Sequence, residues 1–140
     1  MMADCPMCRK WLDEPEMRVV ELEFCRVILN RDQFFPGYCF VVTKEHHTEL
    51  FHLEKALRTG IIEEVNLVAA ALFRLFSPTK INYELLGNMV PHMHWHIVPR
   101  FSTDPVWPRP IWSEPHEAVA LSAADYASRI ASIKNALEAG

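Results

Sequence analysis

Residues 91–100 read PHMHWHIVPR and carry a histidine at every second position over part of their length. In a β-strand, alternate side chains point to opposite faces, so His92, His94 and His96 would share one face. The apolar residues between them would share the other. The sequence therefore predicts a strand with one face for chemistry and one face for packing.

Three aligned imidazoles suit phosphoryl transfer. A neutral imidazole can attack phosphorus and a protonated one can donate to an anionic oxygen, and both forms exist near neutral pH. Three histidines also suit zinc, but this spacing spreads the Cα atoms over about 13 Å, so all three cannot easily converge on one ion. A simpler interpretation also stays open, in which the histidines are only hydrogen-bonded within the fold and have no chemical role.

The composition is that of a folded protein with one domain. The chain has 140 residues, of which 50% are apolar and 23% are charged, and we expect a single domain over residues 1–140. A net charge of −4 gives no global attraction to a nucleic-acid polymer. The apolar stretches are too short or too interrupted to span a bilayer, and residues 1–10 lack a basic segment leading into an apolar signal core. We therefore expect a cytoplasmic protein without a membrane partner.

The first half of the chain predicts strands followed by a helix. Apolar runs at residues 19–22, 25–29 and 38–43 predict adjacent antiparallel strands. Apolar residues then recur at helical spacing over residues 61–76, and Thr59-Gly60 is expected to interrupt the helical pattern before them. That helix should cover one face of the sheet.

The second half predicts a strand pair, a surface strap and a helix. Residues 81–86 and 89–100 predict a hairpin-like pair around a turn at Gly87-Asn88. Residues 102–117 are rich in proline and hold two tryptophans, so we expect an ordered strap. Ser122, followed three residues later by an aspartate, predicts the N-cap of a C-terminal helix. The N-terminal end is expected to be irregular.

The histidine pattern resembles a known family. Residues 92–98 match the signature His-φ-His-φ-His-φ-φ, where φ is hydrophobic, of the histidine-triad (HIT) nucleotide hydrolases and transferases. The order of other motifs is also similar, over about residues 24–101: Asn30, Pro36-Gly37, Lys44, His46, and Gly87-Asn88 upstream of the triad. The resemblance implies an α+β fold with a five-stranded antiparallel sheet, a long helix on one face and a C-terminal helix. It also implies a homodimer that binds a nucleotide on the triad face.

The resemblance implies a role for each histidine. His94 would be the nucleophile that attacks the α-phosphorus and forms a nucleotidyl-histidine intermediate. His96 would bond a phosphate oxygen and help to expel the leaving group, and His92 would orient the nucleophile. Residues two apart on a strand are about 6 to 7 Å apart at Cα, so neighbouring rings can reach one phosphate.

Three asparagines are candidate substrate ligands by the same resemblance. Asn88 would bond a phosphate oxygen, Asn82 would be a second phosphate-side amide, and Asn30 would bind the ribose. For Asn82 and Asn30, a hydrogen bond next to a turn or at a strand end is an equally open interpretation.

Two positions depart from the family pattern. Tyr38 replaces a histidine that often follows Pro-Gly, so a partner of the triad is either missing or supplied by a phenol. Met89 occupies a position that is polar in several relatives. Both departures bear on the substrate more than on the type of reaction.

Cys5 and Cys8 have the spacing of half a zinc site, and a structural zinc needs four ligands. The resemblance implies His46 and His92 as the other two, with His47 as a rival to His46. A free thiol pair and redox activity stay open as alternatives. No organic cofactor is expected.

Other residues receive simpler interpretations. Cys25 and Cys39 lie within apolar runs and are expected to be buried hydrophobes. Arg100 is expected at a solvated strand end. Trp107 and Trp112 could form a wall for base stacking, but tethering the strap to the body of the protein is the favoured role.

The leading hypothesis is a nucleotide phosphohydrolase that acts at the α-phosphate of a dinucleoside polyphosphate or a nucleoside phosphoramidate. One alternative is a nucleotidyltransferase or phosphorylase that passes the same intermediate to phosphate or a sugar phosphate. A nucleotide-binding module without catalysis is the third.

Overall fold

The computed structural model describes residues 2–140 and has the predicted α+β fold. Five strands form one antiparallel sheet in the order β1-β2-β3-β5-β4. The strands are β1 (Arg18–Glu21), β2 (Cys25–Leu29), β3 (Cys39–Thr43), β4 (Lys80–Glu84) and β5 (His94–Arg100). The helices are α1 (Pro6–Asp13), α2 (Lys55–Phe76) and α3 (Ala123–Ala139), with 3-10 turns at Pro15–Met17 and Leu50–His52.

The register of the central strands gives the sheet two distinct faces. Val27, Val41 and Trp95 are paired across β2, β3 and β5, so their side chains share one face. Helix α2 contacts these three strands and buries that face. Phe40 pairs with His96, so both side chains point away from α2. The opposite face of the sheet therefore carries the histidines of β5.

Helix α2 is longer than predicted, because Thr59-Gly60 does not interrupt it. A Cβ atom on Gly60 would lie 2.3 Å from the ring of Phe24. The missing side chain at Gly60 lets the aromatic ring pack against the helix, and this contact outweighs the weak helix propensity of one glycine. The helix ends as predicted at Ser77, which adopts a left-handed backbone conformation with φ of 49°.

Strand β5 is shorter than predicted and begins at His94 instead of Met89. His92 therefore lies two residues before the strand. The backbone of Met93 still bonds residues near β3, since its N–H donates to the carbonyl of His47. Strands β4 and β5 pair as predicted but are joined by residues 85–93, which is a loop longer than a tight hairpin turn.

Helix α1 is a correction to the irregular N-terminal end that the sequence predicts. Pro6 begins the helix, where its missing N–H costs no hydrogen bond. The side chain of Cys5 caps the helix by accepting from the N–H of Cys8 at 3.4 Å. Both cysteines are buried.

Helix α3 follows the predicted N-cap. The Ser122 hydroxyl oxygen accepts from the N–H of Asp125 at 3.1 Å. Tyr126, Ile133 and Leu137 are buried along one side of the helix. Across residues 2–140, no helix is both long enough and apolar enough to cross a membrane.

Candidate active site and metal centre

His92 is completely buried and is held by the backbone of β3. Its Nε2 lies 2.7 Å from the carbonyl oxygen of Thr43. A carbonyl oxygen can only accept, so Nε2 carries the proton and Nδ1 keeps its lone pair. That Nδ1 lies 3.3 Å from Sγ of Cys8 and 3.6 Å from Sγ of Cys5.

His92 thus joins a cluster of four candidate metal ligands. One donor atom from each of Cys5, Cys8, His46 and His92 lies within 4.8 Å of the other three. Nδ1 of His46 lies 3.3 Å from Sγ of Cys8. The rival histidine, His47, lies outside this cluster, and its Nε2 is 3.5 Å from a carboxylate oxygen of Glu45. Two thiols and two imidazoles with available lone pairs fit the tetrahedral donor set that zinc prefers.

His94 has the opposite tautomer. Its Nδ1 lies 2.7 Å from the carbonyl oxygen of His92, so Nδ1 carries the proton and Nε2 keeps the lone pair. The backbone bond occupies Nδ1, and the ring lines a cavity. In the neutral ring, Nε2 of His94 is therefore the nitrogen that is free to act as a base or a nucleophile.

His96 is held by a phenol. Its Nδ1 lies 2.6 Å from the hydroxyl of Tyr38, and its ring centroid is 5.0 Å from that of His94. Burial, and next the neighbouring His94, lower the pKa of His96 to about 4. Burial also raises the pKa of Tyr38, with smaller contributions from the charges of Glu84 and Asp32. Both side chains are consequently neutral near pH 7.

The cavity beside His94 has a volume of about 270 Å³. It is lined by Leu86, Gly87, Asn88, Met89, Val90, His94, His96 and Trp112. The ring of Trp112 stands edge-on to His96 at 5.5 Å between centroids, and its Nε1 donates to Glu84 at 2.8 Å. The strap therefore brings an aromatic wall to the site. The sequence favours a tethering role for Trp112, whereas the structure places its ring against His96 in the cavity and its N–H on Glu84 at the end of β4.

The three candidate substrate asparagines have different positions. Asn88 lines the cavity with His94 and His96. Asn82 pairs with Val98 in the sheet, and its amide oxygen accepts from Arg100 at 2.9 Å. Asn30 accepts from the N–H of Asp32 at 3.1 Å in a local turn. Among the residues that the structure describes, only Asn88 of these three is a lining residue of the cavity.

Arg100 is a correction, because the sequence predicts a solvated position and the residue is 1% exposed. Its Nε donates to Asp104 at 2.7 Å. Its guanidinium also lies 5.7 Å from the ring centroid of Trp107, so this tryptophan tethers the strap. The aspartate four residues after the arginine is the signal in the sequence that could have predicted the buried pair.

Comparisons with known proteins agree with this geometry. The family model of the HIT domain matches residues 12–103. A HIT-like protein of Borreliella burgdorferi is 29% identical over 111 residues, which cover 74% of this chain and 80% of that protein. Adenylylsulfatase HINT3 of Arabidopsis thaliana is 24% identical over 110 residues, covering 74% of this chain and 56% of that protein. The crystal structure of a histidine triad protein from Bradyrhizobium japonicum superposes with a TM-score of 0.79 at 25% identity, covering 89% of this chain and 94% of that one.

Proposed function

Because this chain belongs to the HIT-domain family, we propose that it is a nucleotide phosphohydrolase that works through a nucleotidyl-histidine intermediate. Family membership supports a nucleotide-binding hydrolase or transferase in general, and the Arabidopsis relative is an adenylylsulfatase. The finer proposal is cleavage at the α-phosphate of a dinucleoside polyphosphate or a nucleoside phosphoramidate.

The hydrogen bond between Nδ1 of His94 and the carbonyl oxygen of His92 is the observation that carries this proposal. Its Nδ1–H donates to the carbonyl of His92, which leaves the lone pair of Nε2 as the only free nucleophile on that ring. This lone pair attacks the α-phosphorus and forms a P–N bond, while the bond to the leaving group breaks and its electron pair departs with that group. The positive charge that develops on the ring is stabilised by the His92 carbonyl oxygen.

Water completes the reaction. A water molecule attacks the nucleotidyl phosphorus, the P–N bond breaks, and its electron pair returns to Nε2 of His94. One proton of the water is released to solvent. The amide of Asn88 and the ring of His96 line the same cavity, which supports their role as donors to phosphate oxygens.

We also propose that the four-residue cluster holds a structural zinc ion. Cys5, Cys8, His46 and His92 would be its ligands. When bound, the ion supplies a cross-link between the N-terminal segment and the residue that orients the nucleophile. His92 keeps its Nε2–H on the carbonyl of Thr43, and a ligand histidine held in this way has a fixed ring orientation.

The test of the function is to trap the intermediate. The protein is mixed with diadenosine tetraphosphate labelled in the α-phosphate, quenched, and analysed for an acid-labile label on the chain. We expect the wild-type chain and the control His52→Ala, which replaces an exposed histidine, to carry the label and to turn over. We expect His94→Ala to lose both.

Other outcomes separate the alternatives. Turnover by His94→Ala would contradict the assignment of the nucleophile. Formation of a nucleoside diphosphate only when inorganic phosphate is added would favour a phosphorylase. Binding of the nucleotide without adduct or turnover would favour a module without catalysis.

A further inference from the structure

The hydroxyl of Tyr38 determines which nitrogen of His96 carries a proton. Among residues 2–140, His96 is the only hydrogen-bond partner of this buried hydroxyl. Burial keeps the phenol protonated by raising its pKa, so its proton needs an acceptor. Nδ1 of His96 can accept it only if that nitrogen is unprotonated. The neutral ring then carries its own proton on Nε2.

His94 and His96 therefore differ although they are adjacent and of the same type. The partner of Nδ1 is an acceptor for His94 and a donor for His96. Nε2 is accordingly a lone pair on His94 and an N–H on His96. The first nitrogen can attack a phosphorus and the second can donate a hydrogen bond.

His96 is poorly suited to give its proton away. Loss of the Nε2 proton from a neutral ring would produce an imidazolate unless the phenol protonated Nδ1, and that would leave a buried phenolate. Burial also disfavours the doubly protonated imidazolium, since the pKa of His96 is lowered to about 4. His96 is thus a hydrogen-bond donor that keeps its proton.

The rest of the cavity lining offers no replacement for a general acid. The described lining residues other than the two histidines are Leu86, Gly87, Asn88, Met89, Val90 and Trp112. None of these side chains has an acidic proton to give near neutral pH. The indole N–H of Trp112 is already engaged by Glu84.

Given the proposed function, on which this inference rests, we propose that Tyr38 fixes His96 as a neutral hydrogen-bond donor and that the site cleaves nucleotidyl anhydrides in preference to phosphoramidates. In an anhydride, the bridging oxygen leaves with its electron pair as a phosphate or sulfate anion and needs no proton. The Nε2–H of His96 stabilises that oxygen as the bond breaks. Tyr38 is a positioning residue that acts through His96.

Phosphoramidates make a different demand. The amine must take up a proton before or while its bond to phosphorus breaks, because an amide anion is too basic to leave. Because the neutral ring of His96 keeps its Nε2 proton, the site does not protonate the leaving amine. The chemistry of the leaving group therefore separates the two substrate classes that the proposed function leaves open.

The experiment compares the two classes on the purified full-length chain. The kcat/KM at pH 7 is measured for diadenosine tetraphosphate and for adenosine 5′-propylphosphoramidate, together with the amount of label trapped on His94. We expect the anhydride to be favoured by about 100-fold or more. Equal cleavage of the two, or faster cleavage of the phosphoramidate, would overturn the inference while leaving the proposed function intact. No adduct and no turnover with either substrate would instead contradict the proposed function.

Tyr38→Phe tests the positioning role. Loss of the hydrogen bond that fixes the tautomer of His96 should lower kcat/KM for the anhydride by about tenfold and for the phosphoramidate by less, so that the ratio of the two kcat/KM values falls. Tyr126→Phe is the matched control, because its hydroxyl donates to the carbonyl of Arg31 at 2.6 Å and it is not among the lining residues of the cavity. The control should keep the wild-type preference. An equal fall for both substrates in Tyr38→Phe would mean a structural role only and would overturn the assignment of Tyr38.

Discussion

His92 and His96 lie at opposite ends of the histidine row, defined as His92, His94 and His96, and are held by different partners. His92 is fixed by a backbone carbonyl of β3 and faces two cysteine sulfurs. His96 is fixed by the hydroxyl of Tyr38 and faces a cavity. Both rings carry the proton on Nε2, yet one offers a lone pair to a metal and the other a donor to a substrate. The environment of each ring, and not the residue type, determines its chemistry.

Loss of the proposed zinc site, to which His92 belongs, should lower the stability more than any change at the cavity. Zinc present at about 1,000 times its Kd would add about 4 kcal/mol to the free energy of unfolding, or about 10 °C in Tm. We therefore expect Cys8→Ser to lose bound zinc by elemental analysis and to melt at a correspondingly lower temperature. His47→Ala alters the neighbouring histidine outside the cluster, so this variant should keep the zinc content and the Tm of the wild type. Full zinc content in Cys8→Ser would contradict the proposed ligand set.

Substitution of His96, which lines the cavity, should lower kcat more than it lowers the stability. Removing one preorganised donor from a reaction site commonly costs about 10²- to 10³-fold in kcat, so His96→Phe should lose about that much. Its zinc content should stay that of the wild type, because His96 is not in the cluster. His52→Phe serves as the control for replacing a histidine by an aromatic ring. A wild-type kcat in His96→Phe would mean that the ring does not contact the reacting phosphate.

The lowered pKa of His96 predicts that the stability depends on pH. The pKa of His96 is lowered to about 4 by burial and by His94, and a histidine in the unfolded chain titrates near 6.5. Between these values the unfolded state binds more protons at this residue, so the free energy of unfolding falls as the pH falls from about 6.5 to about 4. The full effect is on the order of 3 kcal/mol.

Thermal unfolding between pH 7 and pH 4 measures this contribution. The comparison uses two variants, one with Cys8→Ser alone and one with Cys8→Ser and His96→Phe. Because both lack a ligand of the proposed zinc site, release of a metal does not add to the change in the free energy of unfolding. The chain with His96 should lose more stability on acidification than the chain with His96→Phe. Parallel pH curves would show that the folded state does not depress the pKa of His96.

Local patterns predicted much of the fold. The apolar runs indicated the strands β1 to β3, the helical spacing indicated the buried face of α2, and Ser122 indicated the start of α3. These features depend on neighbouring residues only. The cysteine pair and His46 were also grouped correctly with His92 as a candidate metal site, but through a family resemblance and not through geometry.

The errors involve contacts between distant parts of the chain. Gly60 continues a helix because Phe24 packs against it, and Arg100 is buried against two distant residues, the amide of Asn82 and the ring of Phe35. His92 lies just before strand β5, and its ring contacts the carbonyl of Thr43 and Sγ of Cys8, both far from it in the sequence. Neither periodicity nor composition contains these pairings. The homodimer, the cytoplasmic location and the extent of the domain stay predictions, and light scattering of the purified chain would check the first.

The positions of the ring protons on His94 and His96 provide the most decisive measurement. Nitrogen-15 NMR of histidine-labelled protein near pH 7 distinguishes a protonated ring nitrogen from one with a lone pair, and single histidine variants assign each signal. We predict the Nδ1–H tautomer for His94 and the Nε2–H tautomer for His96. A proton on Nε2 of His94 would leave the ring without a free nucleophile and would contradict the account.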